Sequence, residues 1–300
     1  MTTMTTSIKV ERLQAISSHL STQPTISFIG GGNMAEAILG GLHASGHVGS
    51  KLKYSEPFAE RLSYMQTKYP ELNGSADNFQ AIEGADVVIL AVKPQVLRQV
   101  LSSCATALLK NPNTLIISIA AGITTQDIYK WMNTDQPASI VRCMPNTPSL
   151  LGEGAIGLYA TESVSQQQRM ASENIMRAVA KEVLWVDNEA LIDSVTGISG
   201  SGPAYFFLIM EAMQNAGIAA GLTPEDAKAL TLQTCLGATR MAQTSEDDLA
   251  TLRRKVTSPK GTTEAAINSM EANNIRQIMK DAVFAAADRG RELSKELGQN

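Results

Sequence analysis

Residues 26–42 read Ile26-Ser-Phe-Ile29-Gly30-Gly31-Gly32-Asn33-Met34-Ala35-Glu-Ala-Ile-Leu-Gly-Gly-Leu42, and this stretch decides the fold. A short strand runs into a G-x-G-x-x-A pattern that opens a helix. Each small residue answers a steric need: Gly30 makes the tight turn, Gly32 lets the backbone approach a pyrophosphate, and Ala35 lets helix and strand pack closely. The pyrophosphate then rests on unsatisfied N–H groups at the positive end of the helix dipole. The pattern is short, so its context carries the weight: a strand before it, a helix after it and a second strand on schedule.

Working outward, strands are predicted at Thr25–Ile29, Leu52–Ser55, Asp86–Val92, Thr114–Ile119 and Ser139–Cys143, with weaker candidates at Ala155–Ala160 and Glu182–Val186. DVVILAV and TLIISI are apolar throughout rather than alternating, as strands are when helices cover both faces. Strand–helix alternation therefore predicts an α/β fold, an N-terminal doubly wound Rossmann domain over 25–188 after an extension at 1–24. Beyond 188 only helical patterns remain: Ser201–Ala220, Pro224–Thr244, Asp247–Val256, Thr263–Ala272 and Ile275–Gly298. Thr223-Pro224-Glu-Asp is a helix start, with Thr as N-cap, Pro at the first position and acids in the first turn. Residues 189–300 thus read as an all-α domain that closes a cleft, forms a dimer contact, or both.

Composition narrows the function. The 300 residues carry Lys+Arg 25 against Asp+Glu 29, a net −4, and aromatics are only 5%. That lacks the phosphate-neutralising charge and the stacking platforms of a nucleic-acid binder. The histidines are His19, His43 and His47, so no later residue is a histidine base or ligand. Cys104, Cys143 and Cys235 are odd in number and far apart, which favours buried reduced thiols over a disulfide framework or a metal site. No apolar run reaches the ~18 residues of a membrane span. The Thr/Ser-rich start carries Lys9, Glu11 and Arg12 without an apolar core, so it is not a secretory signal. A cytoplasmic setting without membrane partners is expected.

At the end of the second strand, Glu56 lies 56 − 32 = 24 residues after Gly32, near the spacing at which an acid takes ribose hydroxyls and favours NAD. Ser55 precedes it and Arg61 follows within reach of a 2′-phosphate, so NADH and NADPH both stay open. At two further strand ends stand Ala91-Val92-Lys93-Pro94 and Ile119-Ala120-Ala121-Gly122, which suit a flat nicotinamide ribose lying against backbone. In the helical half, Val195-Thr-Gly197-Ile-Ser-Gly200-Ser-Gly202-Pro203 and Val256-Thr-Ser258-Pro-Lys260-Gly261-Thr262-Thr263-Glu264 each precede a helix. Each is a candidate anion cradle; close helix packing competes for the first and simple capping for the second.

Six blocks, FIGGGNMAEAILGGL, LAVKPQ, SIAAGIT, RCMPNTP, TGISGSGPAYFF and VTSPKGTTEAAI, closely resemble pyrroline-5-carboxylate reductase in order and spacing, from Ile26 to the end. The resemblance implies NAD(P)H-dependent reduction of L-Δ1-pyrroline-5-carboxylate to L-proline. It also implies a helical domain that interlocks with a second subunit, as a homodimer or a pentamer of dimers. By resemblance, Ile29, Gly30, Gly31, Gly32, Asn33 and Met34 form the phosphate loop. Ser55 lies near the adenosine ribose and Asn78 near the adenine, while Ala91, Val92, Lys93, Pro94, Ile119, Ala120 and Ala121 lie on the nicotinamide side. Thr263 faces the ring nitrogen of the substrate, Ser258, Gly261 and Thr262 hold its carboxylate, and Glu189 is an acid near the ring. Lys260 departs from the family, where a second glycine is common, and Lys255 stands where some relatives have an amide.

The chemistry fits the histidine shortage. A protonated imine is already electrophilic, so hydride transfer asks for positioning more than for a strong acid–base pair. A β-hydroxyacid dehydrogenase would place a lysine on the helix after the glycine-rich stretch, yet no Lys, Arg or His occurs from Glu182 to Ala227. A nucleotide-sensing scaffold would have lost the VTSPKGTTEAAI loop, which is intact.

Overall fold

The computed structural model describes residues 23–298, so the extension predicted at 1–24 lies almost wholly outside the described residues. The chain forms two compact units, one of residues up to 200 together with 286 onward, the other Ser201–Ala285.

In the first unit the strands are β1 (Ile26–Ile29), β2 (Leu52–Ser55), β3 (Asn73–Ser75), β4 (Val87–Leu90), β5 (Leu115–Ser118), β6 (Ser139–Met144), β7 (Gly154–Ala160) and β8 (Ala180–Trp185). They form one sheet in the order β3-β2-β1-β4-β5-β6-β7-β8. The first six run parallel, the doubly wound order with its reversal between β1 and β4. The β6–β7 pair is antiparallel, which makes the sheet mixed rather than wholly parallel. Helices cover both faces: α1 (Asn33–Ala44), α2 (Ala59–Lys68), α3 (Asn78–Ile82), α4 (Pro94–Leu109), α5 (Thr125–Met132), α6 (Gln166–Arg177) and α7 (Leu191–Val195). The all-apolar strands now have their physical reason. Val87 and Ile89 enter one core with Phe28, Ile38 and Leu39, while Val88 and Leu90 enter the opposite core with Leu97 and Leu101. Each such side chain taken fully out of water contributes about 1.5–3 kcal/mol.

Strand β3 is absent from the sequence reading. Asn-Gly-Ser at a sheet edge has neither apolar alternation nor β-branched residues, so only pairing with β2 reveals it. Elsewhere the strand ends shift by a residue or two: Ala91 and Val92 leave β4 to make a turn, Ile119 leaves β5 likewise, and β8 begins at Ala180, two residues before the predicted start. The sequence places the domain boundary near 188, whereas the compact units divide at Gly200. Residues 191–200 stay with the sheet because Val195 packs where Gly157 of β7 has no side chain.

The second unit comprises α8 (Gly202–Ala219), α9 (Pro224–Thr244), α10 (Leu249–Lys255), α11 (Thr262–Ala272) and the first part of α12 (Ile275–Gly298). Thr223 caps α9 by accepting from the Asp226 N–H, and Asp248 caps α10 by accepting from Thr251. These helices bury almost nothing. α8 buries only Gly202, and α10 and α11 bury no residue. Phe206, Phe207 and Leu208 are 63%, 63% and 66% exposed. Three consecutive residues span about 200° of a helix at ~100° each, so no single face of this unit could cover them. An apolar surface of that extent marks an interaction site. Among the described residues, no helix is long and apolar enough to cross a membrane.

Candidate active site

The glycine loop after β1 has the steric form the sequence requires. Gly30 has φ +103°, and a Cβ there would lie 2.8 Å from the Ala91 carbonyl oxygen. Gly32 is the N-cap of α1 with no side-chain cap, and the space where its Cβ would stand is open. An uncapped helix N-terminus beside open space is the cradle a pyrophosphate needs. Asn33 is exposed there and Met34 half-buried, while Ile29 anchors the strand in the core.

The residue between the two key glycines is gripped from both sides. The Gly31 N–H donates to Glu56 Oε2 at 3.1 Å, and the Gly31 carbonyl accepts from Arg61 Nε at 2.7 Å. Glu56 is only 6% exposed, and its other oxygen accepts from the Phe58 N–H at 3.0 Å. Arg61 also binds Glu36, as does Lys68 at 2.6 Å. Burial alone would push the Glu36 carboxyl up; Lys68 and Arg61 outweigh it and hold it below the ordinary range. Of the three residues that the sequence offers for cofactor choice, Glu56 and Arg61 are therefore bound to Gly31 of the loop itself.

Ser55 is fully buried, its hydroxyl donating to the Phe28 carbonyl at 3.5 Å. Asn78 is half-buried at the first position of α3, just after its Asp77 N-cap. Ala91 and Val92 are half-buried, Lys93 is an exposed N-cap without a side-chain cap, and Pro94 starts α4. On the neighbouring turn Ile119 is half-buried, Ala120 buried and Ala121 exposed, and Gly122 has φ +73°.

Behind that turn lies a charged cluster that the sequence did not reveal. Thr125, the first residue of α5, donates its N–H and its hydroxyl to the two Glu189 oxygens, each at 2.7 Å. Arg142 of β6 reaches Glu189 at 3.3 Å and Asp193 at 3.4 Å, with only 4% of its side chain exposed. Burial raises the Asp193 carboxyl above the usual carboxylate range, against the pull of Arg142 and Arg291. The one available signal was an arginine inside the apolar strand SIVRCM, where a buried charge demands partners.

In the first glycine-rich stretch of the helical half, close packing accounts for Gly200, whereas the space where a Cβ on Gly202 would stand is open. Residues Thr196–Gly200 form a π-turn, and a Cβ on Gly200 would meet Met144 Cε at 2.5 Å.

In the second unit, Ser258-Pro259-Lys260-Gly261 is a tight turn closed by the Gly261 N–H donating to the Ser258 carbonyl at 3.0 Å. Lys260 has φ +60°, which explains why a glycine suits this place. Its N–H donates to Glu264 at 2.8 Å and its side chain is exposed; Lys255 pairs with Asp247. Gly261 is the N-cap of α11 and has no side-chain cap. Thr262 is exposed, Thr263 half-buried, and Ser258 exposed. Hydroxyls thus stand beside first-turn amides that no side chain satisfies, an arrangement that holds a carboxylate. Left-handed backbone at a non-glycine residue costs about 1–3 kcal/mol. Lys260→Gly is therefore expected to unfold in urea within about 1 kcal/mol of the parent, relief of strain offsetting the more flexible unfolded chain. Lys260→Val should lose about 1–2 kcal/mol in the same titration.

Family comparison matches residues 189–293 to pyrroline-5-carboxylate reductase dimerisation and residues 25–122 to NADP oxidoreductase, coenzyme F420-dependent. A pyrroline-5-carboxylate reductase of Pseudomonas aeruginosa is 48% identical over 276 residues, 92% of this chain and 99% of that protein. One from Haemophilus influenzae is 39% identical over 89% of this chain and 97% of its own length. Among solved structures, a pyrroline-5-carboxylate reductase from Coxiella burnetii superposes with a TM-score of 0.85 at 44% identity, covering 91% of this chain and 99% of that one. The Plasmodium falciparum pyrroline carboxylate reductase with NADP bound does so at 0.79 and 28% identity, over 91% and 98%.

Proposed function

The chain belongs to the pyrroline-5-carboxylate reductase family, and from that premise we propose how its own residues divide the work. The reaction is the NAD(P)H-dependent reduction of pyrroline-5-carboxylate to proline, an oxidoreduction at a C=N bond (EC 1.5.1.2), the final step of proline synthesis. The helical part self-associates.

Bound NAD(P)H supplies the hydride that reduces the imine carbon. Gly30, Gly31, Gly32, Asn33 and Met34 hold its pyrophosphate on the N-terminus of α1. Glu56 acts through Gly31, and Ser55 and Asn78 shape the adenosine side. Ala91, Val92, Lys93 and Pro94, with Ile119, Ala120 and Ala121, line the nicotinamide side. Residues 25–188 serve mainly the cofactor and 189–300 mainly substrate and dimer. The substrate carboxylate sits on the Ser258, Gly261 and Thr262 loop, and the Thr263 hydroxyl bonds the ring nitrogen. The observation that carries this reading is the uncapped, hydroxyl-lined start of α11. An anionic imine held there is fixed by backbone and hydroxyls, and no histidine is required. The protein works in the cytoplasm as a dimer or a pentamer of dimers, with no nucleic-acid or membrane partner.

Mixing the protein with pyrroline-5-carboxylate and either NADH or NADPH, and following the reduced-nicotinamide absorbance, tests the reading; no oxidation with either cofactor overturns it. Loss of one neutral hydrogen bond costs on the order of 1 kcal/mol, more if the transition state tightens it. Thr263→Ala is expected to lower kcat/KM roughly ten- to hundred-fold with the fold intact. Unchanged kinetics would remove Thr263 from the site.

A further inference from the structure

We propose that Glu189, held in place by Arg142, is a positioning residue for the nicotinamide side of the cofactor rather than a ligand of the substrate. This rests on the reductase reading above and deepens it.

The turn from Ile119 to Gly122 joins the end of β5 to the start of α5. Its root is pinned by the Ile119 N–H donating to the Leu90 carbonyl at 3.1 Å. Its back is closed by α12, where Leu293 leaves a Cβ on Gly122 only 3.1 Å of room. Its exit is the N-terminus of α5. There Thr124 and Asp127 cap each other reciprocally, and the Thr125 amide, which has no partner within its own helix, is left over. Glu189 takes that amide and the Thr125 hydroxyl with one oxygen each. Both oxygens are engaged within the protein, and the positive end of the helix favours the charge they carry.

Arg142 explains how an acid can be held there. Its guanidinium is buried between two carboxylates, Glu189 and Asp193, with Arg291 adding positive charge toward Asp193. A buried arginine without these partners would be an uncompensated charge. The arrangement fixes four elements, β6, the loop after β8, α7 and α5, at one point. The residues placed by that point are Ile119, Ala120 and Ala121. Hydride transfer is sensitive to placement, and misplacement by about 1 Å can cost on the order of a hundred-fold.

Three roles make three different patterns, which a set of variants separates. Steady-state kinetics with pyrroline-5-carboxylate and NADPH, NADPH affinity by fluorescence without substrate, and thermal unfolding are measured for Glu189→Ala, Glu189→Gln and Thr125→Val. A positioning role predicts that Glu189→Ala binds NADPH about ten-fold more weakly and turns over roughly ten- to hundred-fold more slowly, with KM for the imine within about two-fold. Glu189→Gln keeps an acceptor for the Thr125 amide and should recover most of the loss. Thr125→Val, which removes one donor at nearly constant volume, should show a smaller version of the same split.

A raised KM for the imine with NADPH affinity unchanged would make Glu189 a substrate ligand and overturn the proposal. A lower melting temperature with kcat, KM and NADPH affinity all unchanged would leave it merely structural and equally overturn it. If Glu189→Ala does not fold, Glu189→Gln and Thr125→Val decide by the same criteria. Failure of the reductase reading is distinguishable, because the parent protein itself would then leave NADPH unoxidised.

Discussion

Gly30→Ala is expected to weaken NADPH binding by at least about thirty- to hundred-fold, the equivalent of roughly 2–3 kcal/mol, and to take the activity with it. Two effects coincide at this position. Its φ of +103° is strained for any side chain, and the added Cβ would stand 2.8 Å from the Ala91 carbonyl oxygen, a backbone atom that cannot rotate away. The loop must then move off the end of β4, and the amides of the α1 start move with it. Fluorescence titration with NADPH reads the loss directly, and thermal unfolding separates it from global destabilisation. Unchanged affinity would mean that the loop does not hold the cofactor. Gly32→Ala is the informative companion. Nothing lies within 4 Å of its added Cβ, so the substitution should leave the melting temperature unchanged; weaker NADPH binding by fluorescence titration is expected if the pyrophosphate rests on this loop as proposed.

The second large effect concerns assembly. Phe207→Asp should convert the self-associated protein to a monomer and lower its melting temperature markedly. Phe207 lies in an uninterrupted apolar run on α8 and is 63% exposed within the single chain. Burying such a side chain between copies contributes about 1.5–3 kcal/mol, and a two-fold interface counts it twice. Placing a carboxylate there also removes a charge from water with no partner, which adds several kcal/mol more. Analytical ultracentrifugation reads the association state; a dimer that survives the substitution would put the interface elsewhere. The helical unit buries little by itself, so loss of the second copy should appear as unfolding of residues 201–285 as well as dissociation.

Much of the scaffold was legible because its signals are local. The glycine pattern, the apolar strands and the Thr223 cap each carry their structural reason within a few residues. The span Pro224–Thr244 is accordingly the same in sequence and structure. β3 was illegible because Asn-Gly-Ser has no local preference for a strand. Lys260 shows the same divide from the other side. The sequence alone marks it as a departure from the family, but only the backbone shows that it occupies a left-handed turn position.

The site was legible in type more than in wiring. Glu56 and Arg61 were recognisable as a pair bearing on the cofactor, yet their partners turned out to be the two sides of one peptide unit, Gly31. Arg142, Thr125 and Glu189 stand 17 and 47 residues apart along the chain, taking 142 − 125 and 189 − 142. No short pattern joins them.

The sequence by itself determined the doubly wound sheet, the glycine turn after β1, the helical second half and the family to which the chain belongs. Each rests on residue size and polarity repeating at short range, where the chain's covalent geometry does most of the placing. The tertiary structure decided where charges find their partners. A buried carboxylate is stable only where donors and cations converge on it, and they arrive from distant strands and helices. Glu56 therefore braces the glycine loop and the half-buried Glu189 clamps the start of α5, because folding brought backbone amides to both and an arginine to Glu189.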